Sequence, residues 1–88
     1  MMAEHIRLKI VTPSGLILDR TANYVNLPTP EGSVGVLKDH APMLCAVGKG
    51  RLKYRFEGGE GFVFVSEGVA SVENNELTVL AEEARTEE

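Results

Sequence analysis

The chain of 88 residues has one cysteine, no tryptophan, two tyrosines and three phenylalanines. A single cysteine cannot close an internal disulfide, and it fits a reducing compartment. Long hydrophobic runs are also missing. The longest, Ala41 to Val47, has seven residues, whereas a membrane-spanning helix needs about 20. The opening Met1-Met-Ala-Glu-His-Ile-Arg7 lacks the apolar centre of a secretory signal. These absences predict a soluble, cytoplasmic domain. Positive charge is scarce: nine Lys and Arg face thirteen Asp and Glu, a net charge of −4. That balance argues against nucleic acid as the main partner, because phosphate binding needs a basic surface. Two histidines, His5 and His40, and one cysteine give no metal-ligand spacing.

Enough remains for one small globular domain, with 43% hydrophobic and 25% charged residues. A chain of this size hides about 60–65% of its unfolded surface, so its core is modest. The hydrophobic residues fall in short bursts. Ile6, Leu8 and Ile10 alternate with polar neighbours, as do the residues of Arg51-Leu-Lys-Tyr-Arg-Phe56, which predicts half-buried strands. Turn signals separate the bursts: Thr12-Pro-Ser-Gly15, Glu57-Gly-Gly-Glu-Gly61 and Asn74-Asn-Glu76. Close turns and no long helix predict an all-β sandwich or barrel with antiparallel pairing. Residues 1–81 are read as the domain and 82–88 as a frayed, charged tail. No internal repeat or low-complexity segment is present.

One stretch gathers three devices. Thr29-Pro-Glu-Gly32 suits a type I turn, and Ser33 to Leu37 suits a short strand with Val34 and Val36 on one face. Gly35 between them implies a bulge or a second backbone passing close by. Lys38-Asp39-His40 then forms a polar loop that Pro42 keeps out of a helix.

Candidate chemistry is sparse. Asp39, His40 and Cys45 resemble a nucleophile set, but adjacent loop residues diverge and a cysteine in an apolar strand stays protonated. Gly48-Lys-Gly50 lacks the spacing and the hydroxyl of a phosphate loop, and reads as a turn. Arg51, Lys53 and Arg55, with Arg7 and Lys9, read as a solvated sheet face that also discourages edge aggregation. Leu16–Leu18, Met43–Val47 and Phe62–Val65 are apolar on both faces, which in so small a domain implies a partner or an internal cover. In the second of these, Leu44 and Ala46 are expected to face the core, leaving Met43, Cys45 and Val47 for a partner.

Three segments in order, Leu8-Lys-Ile-Val-Thr-Pro13, Glu31-Gly-Ser-Val-Gly-Val36 with His40-Ala-Pro-Met-Leu44, and Val72-Glu-Asn-Asn-Glu-Leu-Thr-Val-Leu-Ala81, resemble the ε subunit of F-type ATP synthases. The likeness runs from about Ile6 to Ala84. It implies a flattened antiparallel sandwich of about ten short strands. It also implies a non-catalytic rotor role, in which the domain ties the γ subunit to the c-ring so that ion flow and ATP synthesis stay coupled. Carried over, Thr12, His40 and Cys45, with Met43 and Val47, would lie towards γ, and Glu31, Gly32 and Ser33 towards the c-ring. Members of the family often place an acid at the Ser33 position, where serine leaves a hydrogen bond, and Pro-Gly where this chain has Lys38-Asp39. Membrane association would be indirect, on the cytoplasmic face of a bacterial membrane or its organelle equivalent. The c subunit would decide between H⁺ and Na⁺.

The residues alone leave another reading open, a small cytosolic β-barrel enzyme or ligand-binding module built on the His40 loop. The resemblance implies no cofactor. The family's sandwich is usually followed by two helices that inhibit hydrolysis and in some bacteria bind ATP. Glu82 to Glu88 has no apolar stripe and would repel phosphate, so this chain is expected to bind no nucleotide and not to inhibit by helix extension.

Overall fold

In a computed structural model, residues 5–87 are described, and they form ten strands without a helix. The strands are β1 (Ile6–Thr12), β2 (Gly15–Ala22), β3 (Tyr24–Thr29), β4 (Gly32–Leu37), β5 (Met43–Val47), β6 (Gly50–Phe56), β7 (Gly59–Val65), β8 (Gly68–Glu73), β9 (Glu76–Ala81) and β10 (Ala84–Glu87). Two five-stranded sheets pack face to face, in the orders β2-β1-β9-β8-β5 and β10-β7-β6-β3-β4. We call them the first and second sheets. The sandwich expected from the sequence is present, and Ile6, Leu8, Ile10, Leu27, Leu52, Leu77 and Val79 fill the space between the sheets.

Two details differ from the sequence reading. Every pair is antiparallel except one: β1 and β9 run parallel, Leu8 opposite Leu77 and Ile10 opposite Val79. These strands are not joined by a turn, so nothing in connection length governs their direction. The tail is also not frayed. Ala84–Glu87 pairs antiparallel with β7 and closes the second sheet as its edge strand. Ordering by an existing strand edge does not need the length that a stable isolated helix requires and seven residues lack.

The turns behave as their residues demand. Asn74 and Asn75 both adopt positive φ (52° and 62°) between β8 and β9, the region that asparagine tolerates best after glycine. Gly35, however, meets neither a bulge nor a backbone. The Tyr24 ring lies over it, and a Cβ there would sit 2.9 Å from that ring. Loops alternate between the two ends of the sandwich. The turns after β1, β3, β5, β7 and β9 share one end with Glu31, and the connections after β2, β4, β6 and β8 share the other with His40.

Candidate functional site

The stretch 29–42 spans the molecule. Its first turn lies at one end and its histidine loop at the other, joined by the six residues of β4. At about 3.3 Å per residue, that separates them by roughly 20 Å. Glu31, Gly32 and Ser33 are all exposed on the turn. Thr29 fixes its shape: the Thr29 hydroxyl donates to Gly32 O (2.9 Å) and accepts from Glu31 N (3.3 Å). Gly32 adopts φ 133°, a backbone that only glycine takes readily. A neighbouring loop holds the turn, since Gly48 N donates to Pro28 O at 3.0 Å. The remaining loops at this end carry Glu67, Glu82 and Glu83 against one cation, Lys49. This end is acidic.

At the opposite end the His40 loop is clasped. Asp39 N donates to Asn75 Oδ1, and Asn75 Nδ2 donates to Asp39 Oδ1 at 3.4 Å. His40 Nδ1 lies 2.7 Å from Ala41 O, and a carbonyl only accepts, so Nδ1 carries the proton. Asp39 and His40 therefore diverge, as adjacent loop residues should. Neither is directed at Cys45, and no metal-holding group of three or more His, Cys, Asp or Glu occurs among the described residues. The nucleophile and metal readings lose their geometry here.

The residues expected to face γ do not make one patch. Thr12 is buried at the Glu31 end, with its hydroxyl accepting from Ser14 N at 3.1 Å, while His40 is at the far end. On β5 the expected faces are exchanged. Val47 is 2% exposed, and Met43 and Cys45 pack against the core, while Leu44 is 78% exposed and Ala46 is exposed beside it. Pairing with β8 explains the parity: Cys45 stands opposite buried Ala70, and Ala46 opposite exposed Val69. Val47 is closed to any partner. Met43 and Cys45 remain reachable only from the side, through a groove of about 470 Å³ lined also by Pro30, Val34 and Ala46.

Following the register from Ala46 across the first sheet reveals what sequence reading missed. On the outer face Ala46 stands beside Val69, Val69 beside Leu80, Leu80 beside Val11, and Val11 beside Leu16. One apolar row thus crosses all five strands, with Leu16, Val69 and Leu80 still about half exposed. The next row is polar: Asp19, Lys9, Thr78 and Ser71, ending on Leu44. From this row Asp19 pairs with Arg7 (2.8 Å) and Lys9 with Glu76 (3.1 Å), both partners lying one row further on. The hydrogen bond with Asp19 holds Arg7 protonated beyond its usual range, and the same bond lowers the Asp19 carboxyl. Single strands gave no sign of the row, because each contributes only one residue to it.

The second sheet resolves its two-sided strand in part, leaving the outward Phe64 exposed. On β7, Val63 and Val65 are buried, and the outward Phe62 lies under Arg51, whose guanidinium carbon is 4.0 Å from the ring centroid. Arg55 covers Tyr24 at 5.6 Å. The same arginines pair with Glu87 (3.2 Å) and Glu60 (3.9 Å). The basic stripe is therefore a partly neutralised, solvated face. Arg7 and Lys9 do not extend it, since they lie on the other sheet.

Comparison with known proteins places this geometry. The family model described as "ATP synthase, Delta/Epsilon chain, beta-sandwich domain" matches residues 5–87. An ATP synthase epsilon chain of Nitratidesulfovibrio vulgaris is 45% identical over 87 residues, covering 99% of this chain and 65% of that protein. One from Lawsonia intracellularis is 39% identical over 83 residues, covering 94% and 62%. A subunit in the structure of the Euglena gracilis mitochondrial ATP synthase, OSCP/F1/c-ring, superposes with a TM-score of 0.90 at 25% identity, over 98% of this chain and 56% of that one. The chain thus spans less than two thirds of the length of these relatives. With a match from His5 to Glu87 that takes in both sheets, this chain belongs to the ATP synthase delta/epsilon family as its β-sandwich domain.

Proposed function

We propose that the chain is the sandwich part of a non-catalytic rotor subunit, which ties a γ-type shaft subunit to a c-ring and keeps ion flow coupled to ATP synthesis. It sits peripherally at the cytoplasmic face of a bacterial membrane, or its organelle equivalent, and uses no cofactor. The observation that carries this reading is the apolar row Leu16–Val11–Leu80–Val69–Ala46, continued by Leu44 on β5. Among the described residues nothing covers this row, and a protein partner is a natural complement for it. The shaft subunit docks there, wrapping the β5 side as far as Met43 and Cys45. The exposed Glu31-Gly32-Ser33 turn, at the acidic end of the sandwich, reaches the ring, where a cationic loop would suit it.

The test uses the γ subunit of the N. vulgaris enzyme, co-expressed with the chain. Leu80→Asp removes apolar contact and buries an unpaired charge in any complex. It should weaken γ binding by more than about 2 kcal/mol, roughly 30-fold, with the isolated fold nearly unchanged. Ser33→Lys should leave γ binding intact and lower ATP-driven ion pumping in reconstituted vesicles. Undiminished binding by the Leu80 variant would remove the row from the shaft interface. Normal pumping by the Ser33 variant would remove the turn from the ring contact.

A further inference from the structure

Resting on the proposal that γ covers the apolar row, the geometry points to the kind of segment that fits it. We infer that the row receives one amphipathic α-helix, lying across the strands, with lysine or arginine along its edge towards the Glu31 end.

Spacing argues for a helix. Neighbouring strands stand about 4.8 Å apart, so five strands set a row about 19 Å long. A helix repeats its contact face about every 5.4 Å, within about 0.6 Å of one strand interval. An extended segment presents same-side residues about every 6.7 Å and misses each interval by roughly 2 Å. A helix of about 13 residues covers the row at 1.5 Å per residue. Its stripe, one apolar residue per turn, meets Leu16, Val11, Leu80, Val69 and Ala46 in succession.

Charge supplies the flank. Towards the Glu31 end the row borders a concavity of about 360 Å³, lined by Val11, Pro13, Val69, Leu80, Glu67 and Glu82 among others. Both glutamates are exposed, and among the described residues neither takes part in an ion pair, nor does any cation line the concavity. Two carboxylates at the rim of an apolar groove complement a basic edge. The opposite flank is already settled: Lys9 is paired with Glu76, and Thr78 and Ser71 are neutral. That side accepts small polar residues. A helix with acidic residues on both edges is disfavoured.

The experiment keeps this inference separable from the functional proposal. The full chain, wild type and with Glu67→Gln and Glu82→Gln together, is titrated with N. vulgaris γ at low and high salt. The double variant should bind roughly tenfold more weakly at low salt, and its affinity should vary less with salt. In parallel, a photoreactive residue replaces Leu16 or, separately, Ala46. A crossing helix predicts cross-links to γ positions about 13 residues apart, whereas an extended segment predicts about six. Unchanged binding and salt dependence in the double variant, or cross-links six apart, would overturn the inference. If Leu80→Asp still abolishes binding in that case, the row remains the shaft interface. If Leu80→Asp binds normally, the functional proposal itself falls.

Discussion

Gly48→Ala is a one-carbon change that should damage both stability and the turn at the Glu31 end. Gly48 is buried, and a Cβ built on it lies 2.8 Å from the Thr29 carbonyl carbon, 3.0 Å from its oxygen and 3.1 Å from Pro30 N. All three atoms are backbone, so no side chain can swing aside. Ordinary contact would need about 3.5 Å, so the two segments must part by half an ångström or more. That movement strains or breaks the Gly48 N to Pro28 O bond. A lost bond of this kind costs about 1 kcal/mol and forced overpacking about 1–3, together roughly 2–4 kcal/mol. For a domain of this size each kcal/mol lowers Tm by about 4–8 °C, so the fall should reach about 8–32 °C.

The assay is thermal and urea unfolding of the full chain, with Lys49→Ala as the control. Lys49 is the adjacent, exposed residue, and its loss should stay within about 0.5 kcal/mol. Amide chemical shifts of Glu31 and Gly32 should move in the Gly48 variant and stay fixed in the control. A loss under about 1 kcal/mol, with those shifts unmoved, would refute the claim that Gly48 is required for close backbone approach. That claim also explains the Gly48-Lys-Gly50 sequence: its first glycine admits a neighbouring turn, and no phosphate is needed to account for it.

Replacing Asn75 with Ala removes the acceptor for Asp39 N and strains a backbone at φ 62°. It should cost about 1–3 kcal/mol and speed hydrogen exchange at Asp39. Asp19→Asn should lower stability at neutral pH. The Asp19 carboxyl is held below its ordinary value chiefly by the Arg7 hydrogen bond. Its contribution is therefore present above the unfolded carboxylate range and lost as pH falls through the lower folded value. Parent and variant should converge in urea midpoints under strong acid, and a gap that persists there would exclude this cause. Calorimetric titration with ATP should show no binding at millimolar concentration, and a saturable signal would overturn the expectation of no nucleotide site.

Strands and turns were legible in this sequence because their signals are local. Alternation around Leu8, paired glycines near Gly58 and paired asparagines at Asn74 each act within a few residues. Strands β1 to β9 follow from such signals, whereas the total of about ten comes from the family likeness, and β10 reads in the sequence as a frayed tail. What could not be read was anything decided by a neighbouring strand. In Met43-Leu-Cys-Ala-Val47 every residue is apolar, so either parity buries an acceptable face. Alternation carries no information when both alternatives are hydrophobic. The choice is made by β8, where Ala70 and Val72 are buried and Val69 is not, and β5 must follow their parity. A one-residue slip would move Leu44 inside and put Val47 out.

The same logic explains why the apolar row went unseen while its residues were all in view. Leu16, Val11, Leu80, Val69 and Ala46 are separated along the chain and belong to five strands, each with ordinary composition. One half-exposed Leu or Val per strand needs no explanation. They become a surface only through four registers, including the irregularity between Ile10 and Val11 that sets Leu16 beside Val11. Without that shift, Ile17 would stand opposite Val11 in place of Leu16. The bulge thus selects which apolar residue of β2 completes the row, Leu16 outward, while Ile17 packs against the core. Sheets build interaction surfaces across the chain direction, and a linear sequence can disclose them only once pairing is known. Here the row lies beside the acidic loops, so in the function we propose one domain would present an apolar side to the shaft and a charged end to the ring. That arrangement suits a part that must grip one partner tightly while touching another.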